Sequence, residues 1–196
     1  MSAILKKSMR DSLKQKRAVL YERHPDAGEK AANHFFTFFN FPPQTIFGLY
    51  WPMASEIDPR PLLYRLSSMS YICTLPRVTP EGLVFHQWEP ALELEKGTFG
   101  LQEPPPTSPV LEPDIVIIPL LGFDRRGHRI GYGKGHYDYY LQSHQGTFIG
   151  LAFAGQEVDR VPHETHDICL GYIVTEEGVI PCSSPQSPQT AKVSQD

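Results

Sequence analysis

Residues 115–141 read IVIIPLLGFDRRGHRIGYGKGHYDYYL, and the fold is decided by how this stretch is read. It opens on Ile115-Val116-Ile117-Ile118, an unbroken apolar run of the kind a strand buried on both faces shows. It then turns glycine-rich and basic together, with Gly127, Gly131, Gly133 and Gly135 interleaved with Arg125, Arg126, Arg129 and Lys134. After Gly135 the spacing of Tyr137, Tyr140 and Leu141 becomes helical. A strand, a glycine-rich basic loop and a helix start, in that order, make an anion cradle. Glycines let backbone N–H groups approach a phosphate, the helix N-terminus adds the positive end of its dipole, and the basic side chains supply net charge. A long surface loop with solvated arginines has the same composition, so the pattern alone leaves both readings open.

Working outward, the chain of 196 residues has 40% hydrophobic and 20% charged content, ordinary for a globular protein with one sizeable core. Residues 1–182 are expected to form a single domain. The Ser-, Pro- and Gln-rich stretch 183–196 reads as a disordered tail. Pro104-Pro105-Pro106 and Pro109 read as a stiff connector within the domain. Cys73, Cys169 and Cys182 are odd in number, far apart and without metal-knuckle spacing, which points to a reducing cytoplasm. No apolar run approaches the ~20 residues of a membrane span, and no secretory leader is legible. The basic, acid-poor first turns leave a mitochondrial address open. Net charge of −4 argues against a general nucleic-acid binder. The charge is uneven, however: residues 6–17 hold six of the 18 basic residues and one of the 22 acidic ones. Local positive charge on an acidic chain suits a small anionic ligand. A monomer is expected.

Residues 2–20 are expected to form an amphipathic helix with Leu5, Met9, Leu13 and Leu20 on its apolar stripe. A second helix is expected over 29–39, where Phe35, Phe36, Phe38 and Phe39 read as core. Ile46 to Tyr50 reads as a buried strand, Arg60 to Ser67 as a helix, and Tyr71 to Leu75 as a strand stopped by Pro76. Leu83 to Trp88 reads as an antiparallel edge strand, Phe148 to Phe153 as a buried strand, and Cys169 to Thr175 as the last one. Alternating strands and helices imply an α/β three-layer sandwich with a mostly parallel sheet. Trp51 to Asp58 then falls at a strand's carboxyl end, where open α/β sheets place their ligands. His163, Glu164, His166 and Asp167 have spacing that permits zinc, but with no third ligand cluster elsewhere oxygen ligands for magnesium fit better.

The string from Gly122 to Leu141, GFD-x-x-G-x-R-I-G-x-G-K-G-x-Y-D-x-Y-L, resembles the signature of the 5-formyltetrahydrofolate cyclo-ligase (methenyltetrahydrofolate synthetase) family. Satellite matches spread over the chain. KKSMRDSLKQKR resembles the family's N-terminal ATP-phosphate motif, and this implies contacts from Lys6, Lys7 and Arg10. Lys14, Lys16 and Arg17 are read as a solvated back. The stretch around Glu56 resembles the segment whose glutamate holds the reduced pterin, with Trp51 and Met53 as an apolar wall; a helix-start acid is the plain alternative for Glu56. KGTFGLQEP resembles a loop that sets an aromatic beside the folate, here Phe99, which could equally staple the loop. Val161 to Asp167 resembles a P-x-E-x-x-D segment.

The resemblance implies a Rossmann-like fold of the cyclo-ligase and CoA-transferase type. It implies that ATP and 5-formyltetrahydrofolate are converted to 5,10-methenyltetrahydrofolate, ADP and phosphate through a phosphorylated formyl group. Lys134 and Arg129 would be catalytic. ATP would meet Lys6, Lys7, Arg10, Arg129, Ile130, Gly131, Tyr132, Gly133, Lys134, Gly135, His136 and Tyr137. The folate would meet Trp51, Met53, Glu56, Phe99, Tyr132 and His136, and Mg2+ would be held by Asp138 and Asp167. Two positions depart from the family pattern. His136 stands where members often carry tyrosine, and Tyr132 where some carry arginine. A folate- or nucleotide-binding module without turnover is the alternative. A sugar-phosphate isomerase or CoA-transferase relative is a third reading, though such chemistry uses a carboxylate at the substrate carbon and no ATP.

Overall fold

The computed structural model of the chain describes residues 2–164, 167–183 and 192–193, and the side chains of residues 7–98, 100–164 and 167–183. Its centre is one sheet of seven strands: β1 (Ile46–Gly48), β2 (Ile72–Thr79), β3 (Gly82–Trp88), β4 (Ile115–Pro119), β5 (Thr147–Leu151), β6 (Tyr172–Thr175) and β7 (Gly178–Pro181). Their spatial order is β7-β6-β5-β4-β1-β2-β3. The five inner strands run parallel, and the edges β7 and β3 are antiparallel hairpin partners of β6 and β2.

The apolar run behaves as a strand buried on both faces must. Ile115 and Ile117 join the core on one side, and Val116 and Ile118 the core on the other. Helices α2 (Ala27–Phe38) and α3 (Arg60–Ser68) cover the first face, and α4 (His136–Ser143) the second. On α2, Ala27, Ala31 and Phe35 recur at four-residue spacing, so the small side chains bring the helix close while Phe35 fills the space beyond. Phe35, Phe39, Phe41 and Phe47 stack edge and face in that core, which confirms the structural reading of the aromatic cluster. This is the expected three-layer α/β arrangement. Burial pushes the thiols of Cys73 and Cys182 up to about 12, and all three cysteines are free.

Helix α1 (Ser2–Arg23) docks along a narrow stripe. Leu13 is buried against Leu121, Ile130 and Val161. Its methyl group takes the space a side chain at 122 would need: a Cβ on Gly122 would lie 2.7 Å from Leu13 Cδ1. A glycine is therefore required where helix and hairpin meet.

Three expectations on strands are corrected. Pro76 does not end β2, which continues to Thr79. Its partner Phe85 turns its carbonyl outward to accept from Leu111, so 76 and 85 form a non-hydrogen-bonded pair and the ladder asks no N–H of the proline. The strand expected from Cys169 starts only at Tyr172, and it is not the last, because Glu176 and Glu177 turn it into β7. Gly122–Phe123 and Arg129–Ile130 form a small antiparallel hairpin within the stretch read as loop. Of the tail, residues 184–191 and 194–196 lie outside the described residues, and Lys192–Val193 pairs antiparallel with Phe39–Asn40.

Candidate functional site

The sheet order places a switch point between β1 and β4. From β1 the chain proceeds to β2 and β3 on one side; from β4 it proceeds to β5 and β6 on the other. The two connections diverge there and leave a crevice beyond the strands' carboxyl ends. The β1 side contributes Tyr50, Trp51, Met53 and Glu56, and the β4 side the hairpin and the glycine loop 131–135. Gly133 has φ +87, a backbone conformation that calls for glycine, and a Cβ on it would sit 2.9 Å from the Arg10 guanidinium carbon and displace that side chain. Gly135 caps α4 in the left-handed conformation.

Two cavities meet in this crevice. The smaller, about 60 Å³, is polar and is lined by Arg10, His128, Arg129, Asp138 and Asp167 with Gly131 and Gly133. Arg10 Nε donates to the Gly131 carbonyl at 3.1 Å, fixing the loop against α1. The Arg129 side chain is 6% exposed; it donates to the Ile168 carbonyl at 2.8 Å and pairs with Asp138. Burial lowers the Arg129 pKa, and Asp138 and Asp167 oppose that effect. The Asp167 carboxylate accepts the Glu164 N–H at 2.9 Å. Two carboxylates beside a cationic, backbone-lined cavity fit magnesium, which takes one or two carboxylates and completes its shell with phosphate and water oxygens. Among the described residues no three histidine, cysteine or carboxylate groups converge as a zinc site requires. The His163 ring stacks on His128 at 3.7 Å, and His166 lies outside the described residues.

The larger cavity, about 280 Å³, is mainly apolar. Trp51, Met53, Val78 and Leu83 wall it, and Tyr132, His136 and Tyr137 add rings. Glu56 is the acid set in this wall, 5% exposed. Its Oε2 accepts the Met53 N–H at 2.9 Å. Burial raises its pKa, while the Met53 N–H, Arg17 and the Tyr132 hydroxyl work in the other direction. A largely apolar cavity with a buried carboxylate in its wall, and a second, Asp138, on the side shared with the polar cavity, suits a flat heterocycle that presents N–H donors. Arg129, Gly131, Gly133 and Asp138 line both cavities, so the two adjoin across the glycine loop.

Most of the residues singled out in the sequence converge here. Arg10, Arg129, Ile130, Gly131, Gly133, Asp138 and Asp167 border the polar cavity. Trp51, Met53, Glu56, Tyr132, Lys134, Gly135, His136 and Tyr137 border the apolar one. Lys7 is exposed and lines neither; the side chains of Lys6 and Phe99 lie outside the described set. One reading is overturned: Arg17 is not solvated. It is 2% exposed behind Glu56 and Tyr132, whereas Lys14 and Lys16 on the same helix are exposed.

Two contributors had no assigned role. Tyr50 lines the apolar cavity and donates to the Ile57 carbonyl at 2.7 Å. Asp124, 1% exposed, accepts the N–H groups of Arg126, His128 and Val161, pinning the hairpin turn to the segment that carries Asp167. An aspartate three residues before Gly127 is the one local sign of that turn.

Fold and crevice together define an α/β protein with a phosphate-type cavity joined to a ring-type cavity at the sheet's switch point. The 5-formyltetrahydrofolate cyclo-ligase family model matches residues 3–176. The chain is 30% identical over 178 residues to 5-formyltetrahydrofolate cyclo-ligase from Escherichia coli K12, covering 84% of this chain and 96% of the relative. It is 34% identical over 132 residues to the Haemophilus influenzae protein of the same name, covering 62% and 71%. The NMR structure of Aquifex aeolicus 5,10-methenyltetrahydrofolate synthetase superposes with a TM-score of 0.80 at 28% identity, covering 94% of this chain and 96% of that one. The chain belongs to the 5-formyltetrahydrofolate cyclo-ligase family.

Proposed function

We propose that this protein catalyses the ATP- and magnesium-dependent cyclisation of 5-formyltetrahydrofolate to 5,10-methenyltetrahydrofolate. The observation that carries the reading is the shared wall: a cationic cavity adjoins, across Gly131 and Gly133, an apolar one with a buried acid. That layout brings a nucleotide's terminal phosphate to the edge of a bound ring.

The chemistry needs that juxtaposition. An amide-like formyl oxygen is a poor leaving group. Transfer of the γ-phosphoryl to it breaks the bond to ADP and forms an oxygen–phosphorus bond. N10 then adds to the formyl carbon, the carbon–oxygen bond breaks, and the oxygen departs in inorganic phosphate, which also takes up the N10 proton. No protein nucleophile is required, only in-line positioning and neutralisation of charge. Glu56 accepts N–H donors of the pterin, and Trp51 and Met53 flank it. Arg10, Arg129 and the 131–135 backbone receive the phosphates, and Lys134, from the lining of the apolar cavity, follows the transferring group. Magnesium at Asp138 and Asp167 supplies charge neutralisation and alignment of the phosphates.

Purified protein incubated with ATP, magnesium and 5-formyltetrahydrofolate should produce methenyl absorbance and ADP in equal amounts. Folate binding without ADP release would point to a binding module instead. Asp138→Asn should raise the magnesium concentration for half-maximal rate about tenfold or more, the scale of losing one charged ligand contact. An unchanged magnesium titration removes Asp138 from the metal site.

A further inference from the structure

Arg17 is a buried cation that the proposed reaction leaves without a task. Its Nε donates to Ser55 Oγ at 3.2 Å, and one terminal nitrogen donates to the Tyr132 hydroxyl. The other, NH1, lies 3.9 Å from Glu56 Oε1 and has no hydrogen-bond partner among the described residues. The Tyr132 hydroxyl lies beside Glu56, and each acts on the other's ionisation. A helix that needed only solubility would keep this arginine outside, as it keeps Lys14 and Lys16. Burying a guanidinium with one amino group unsatisfied is unfavourable unless its charge is used where it sits.

The rest of α1 shows the use. Arg10 holds the Gly131 carbonyl, and two helical turns further on Arg17 holds the side chain of the next loop residue, Tyr132. Through Ser55 the same guanidinium reaches the β1 loop that carries Glu56. One helix therefore joins the glycine loop to the ring-facing wall.

We propose that Arg17 is a positioning residue for folate recognition: from α1 it holds the Glu56 carboxylate and Tyr132 hydroxyl in the arrangement that receives the pterin, so that docking of the N-terminal helix is a condition of binding. The inference rests on the function proposed above. It extends that reading from the groups that touch the ligands to the one that organises them.

The pH dependence of folate binding reports on it. The groups facing Glu56 are Arg17 from α1, Tyr50 from the end of β1, Tyr132 from the glycine loop and Tyr137 from α4, with the Met53 N–H on its own loop. Asp58 lies near Tyr50, Arg129 near Tyr137 and Lys14 over the Tyr132 ring. Arg17 is the cation acting on the carboxylate. Without it, Glu56 stays protonated to higher pH and stops accepting N–H donors sooner as the solution is acidified.

Arg17→Met, which keeps bulk and removes charge, should weaken 5-formyltetrahydrofolate binding about ten- to a hundredfold, the scale of a hydrogen bond to a charged group, and ATP binding much less. The acid-side midpoint of folate affinity should move to higher pH, and Arg17→Lys should restore part of both losses. Titration calorimetry between pH 5 and 8 measures them, with circular dichroism to check folding. Equal losses for folate and ATP with an unmoved midpoint reduce Arg17 to a structural contact and overturn the proposal, as does folate affinity within about twofold of wild type, the range of an ordinary surface change. If Arg17→Met fails to fold, Arg17→Gln removes the charge while keeping an N–H donor, and an unmoved midpoint there has the same consequence. A wild-type protein that binds no folate overturns both this inference and the function beneath it. A wild type that binds, with variants that do not differ from it, overturns Arg17 alone.

Discussion

Lys134 and Asp124 show how differently two residues of one motif act. Lys134 is exposed in the lining of the apolar cavity; in the proposed reaction the backbone N–H groups of the loop receive the ground-state phosphates. Under that reaction an ammonium there gains most as charge moves toward the formyl oxygen, so it should count more in the transition state than in binding. Lys134→Ala should lower kcat about 10²- to 10³-fold and raise the ATP KM far less. A kcat within about twofold of wild type would leave the arginines and magnesium to carry the phosphoryl charge. Asp124 touches no cavity and holds the hairpin instead. Burial pushes its pKa up, but the Val161 N–H, His128 and the N–H groups of Arg126 and His128 outweigh that and hold it below the usual value. A lowered pKa contributes stability that is fully present above the unfolded value of about 3.9 and is lost as pH falls below it. Asp124→Ala leaves buried N–H groups unpaired and should cost about 3 kcal/mol at neutral pH. Urea unfolding should show that deficit unchanged from about pH 5 upward and smaller in stronger acid. A deficit that grows on acidification contradicts the assignment.

At the scale of elements, α1 is the piece on which the crevice depends. Among the described residues it meets the body along one face: Leu13 by Gly122 with Met9 in the same apolar cluster, Leu20 by Gly155, Arg10 at the loop, and Arg17 at the ring-facing wall. A terminal helix packed on one face opens more readily than the sheet, because its opening exposes less apolar surface than parting the strands does. Gly122→Val would drive methyl groups into Leu13 and should destabilise the protein by about 1–3 kcal/mol, the cost of overpacking. The loss should concentrate in α1. Amide exchange there should accelerate more than that of β4 and β5, and uniform acceleration across the sheet would show that α1 is not a separable unit. The opposite edge of the molecule is guarded differently. Pro109 accepts from Gln87 and Leu111 donates to Phe85, so the proline-rich connector lies along β3 and covers its free edge.

For the whole molecule, the sheet order matters most. Helices on both faces leave only the strand ends open, and the crevice lies where connections from β1 and β4 part. A ligand seated there touches segments that start at α1, β1, β4 and α4, and binding should stabilise all of them at once. At 5-formyltetrahydrofolate a hundredfold above its Kd the gain is about 2.7 kcal/mol, which for a chain of this size raises Tm by about 5–10 °C. Differential scanning fluorimetry measures it. No shift at saturating folate would mean that the crevice is not the folate site.

What the sequence determined by itself was whatever is written contiguously. The apolar run at 115–118 needed only its own hydrophobicity to be a buried strand, and the glycines and basic residues that follow needed only their spacing to make a loop at a helix start. The same contiguity made the family string legible. Tertiary structure decided what depends on partners distant in sequence. Arg17 and Tyr132 are 115 positions apart, and Asp124 and Val161 are 37 apart. Pro76 remains in β2 because of how Phe85, on another strand, directs its carbonyl. Arg17 sits on a helix whose Lys14 and Lys16 are exposed, and no property of the helix alone distinguishes it. A charge is buried or solvated according to what the fold brings opposite it, and that opposing surface exists only once β1, the glycine loop and α1 have been assembled around the crevice.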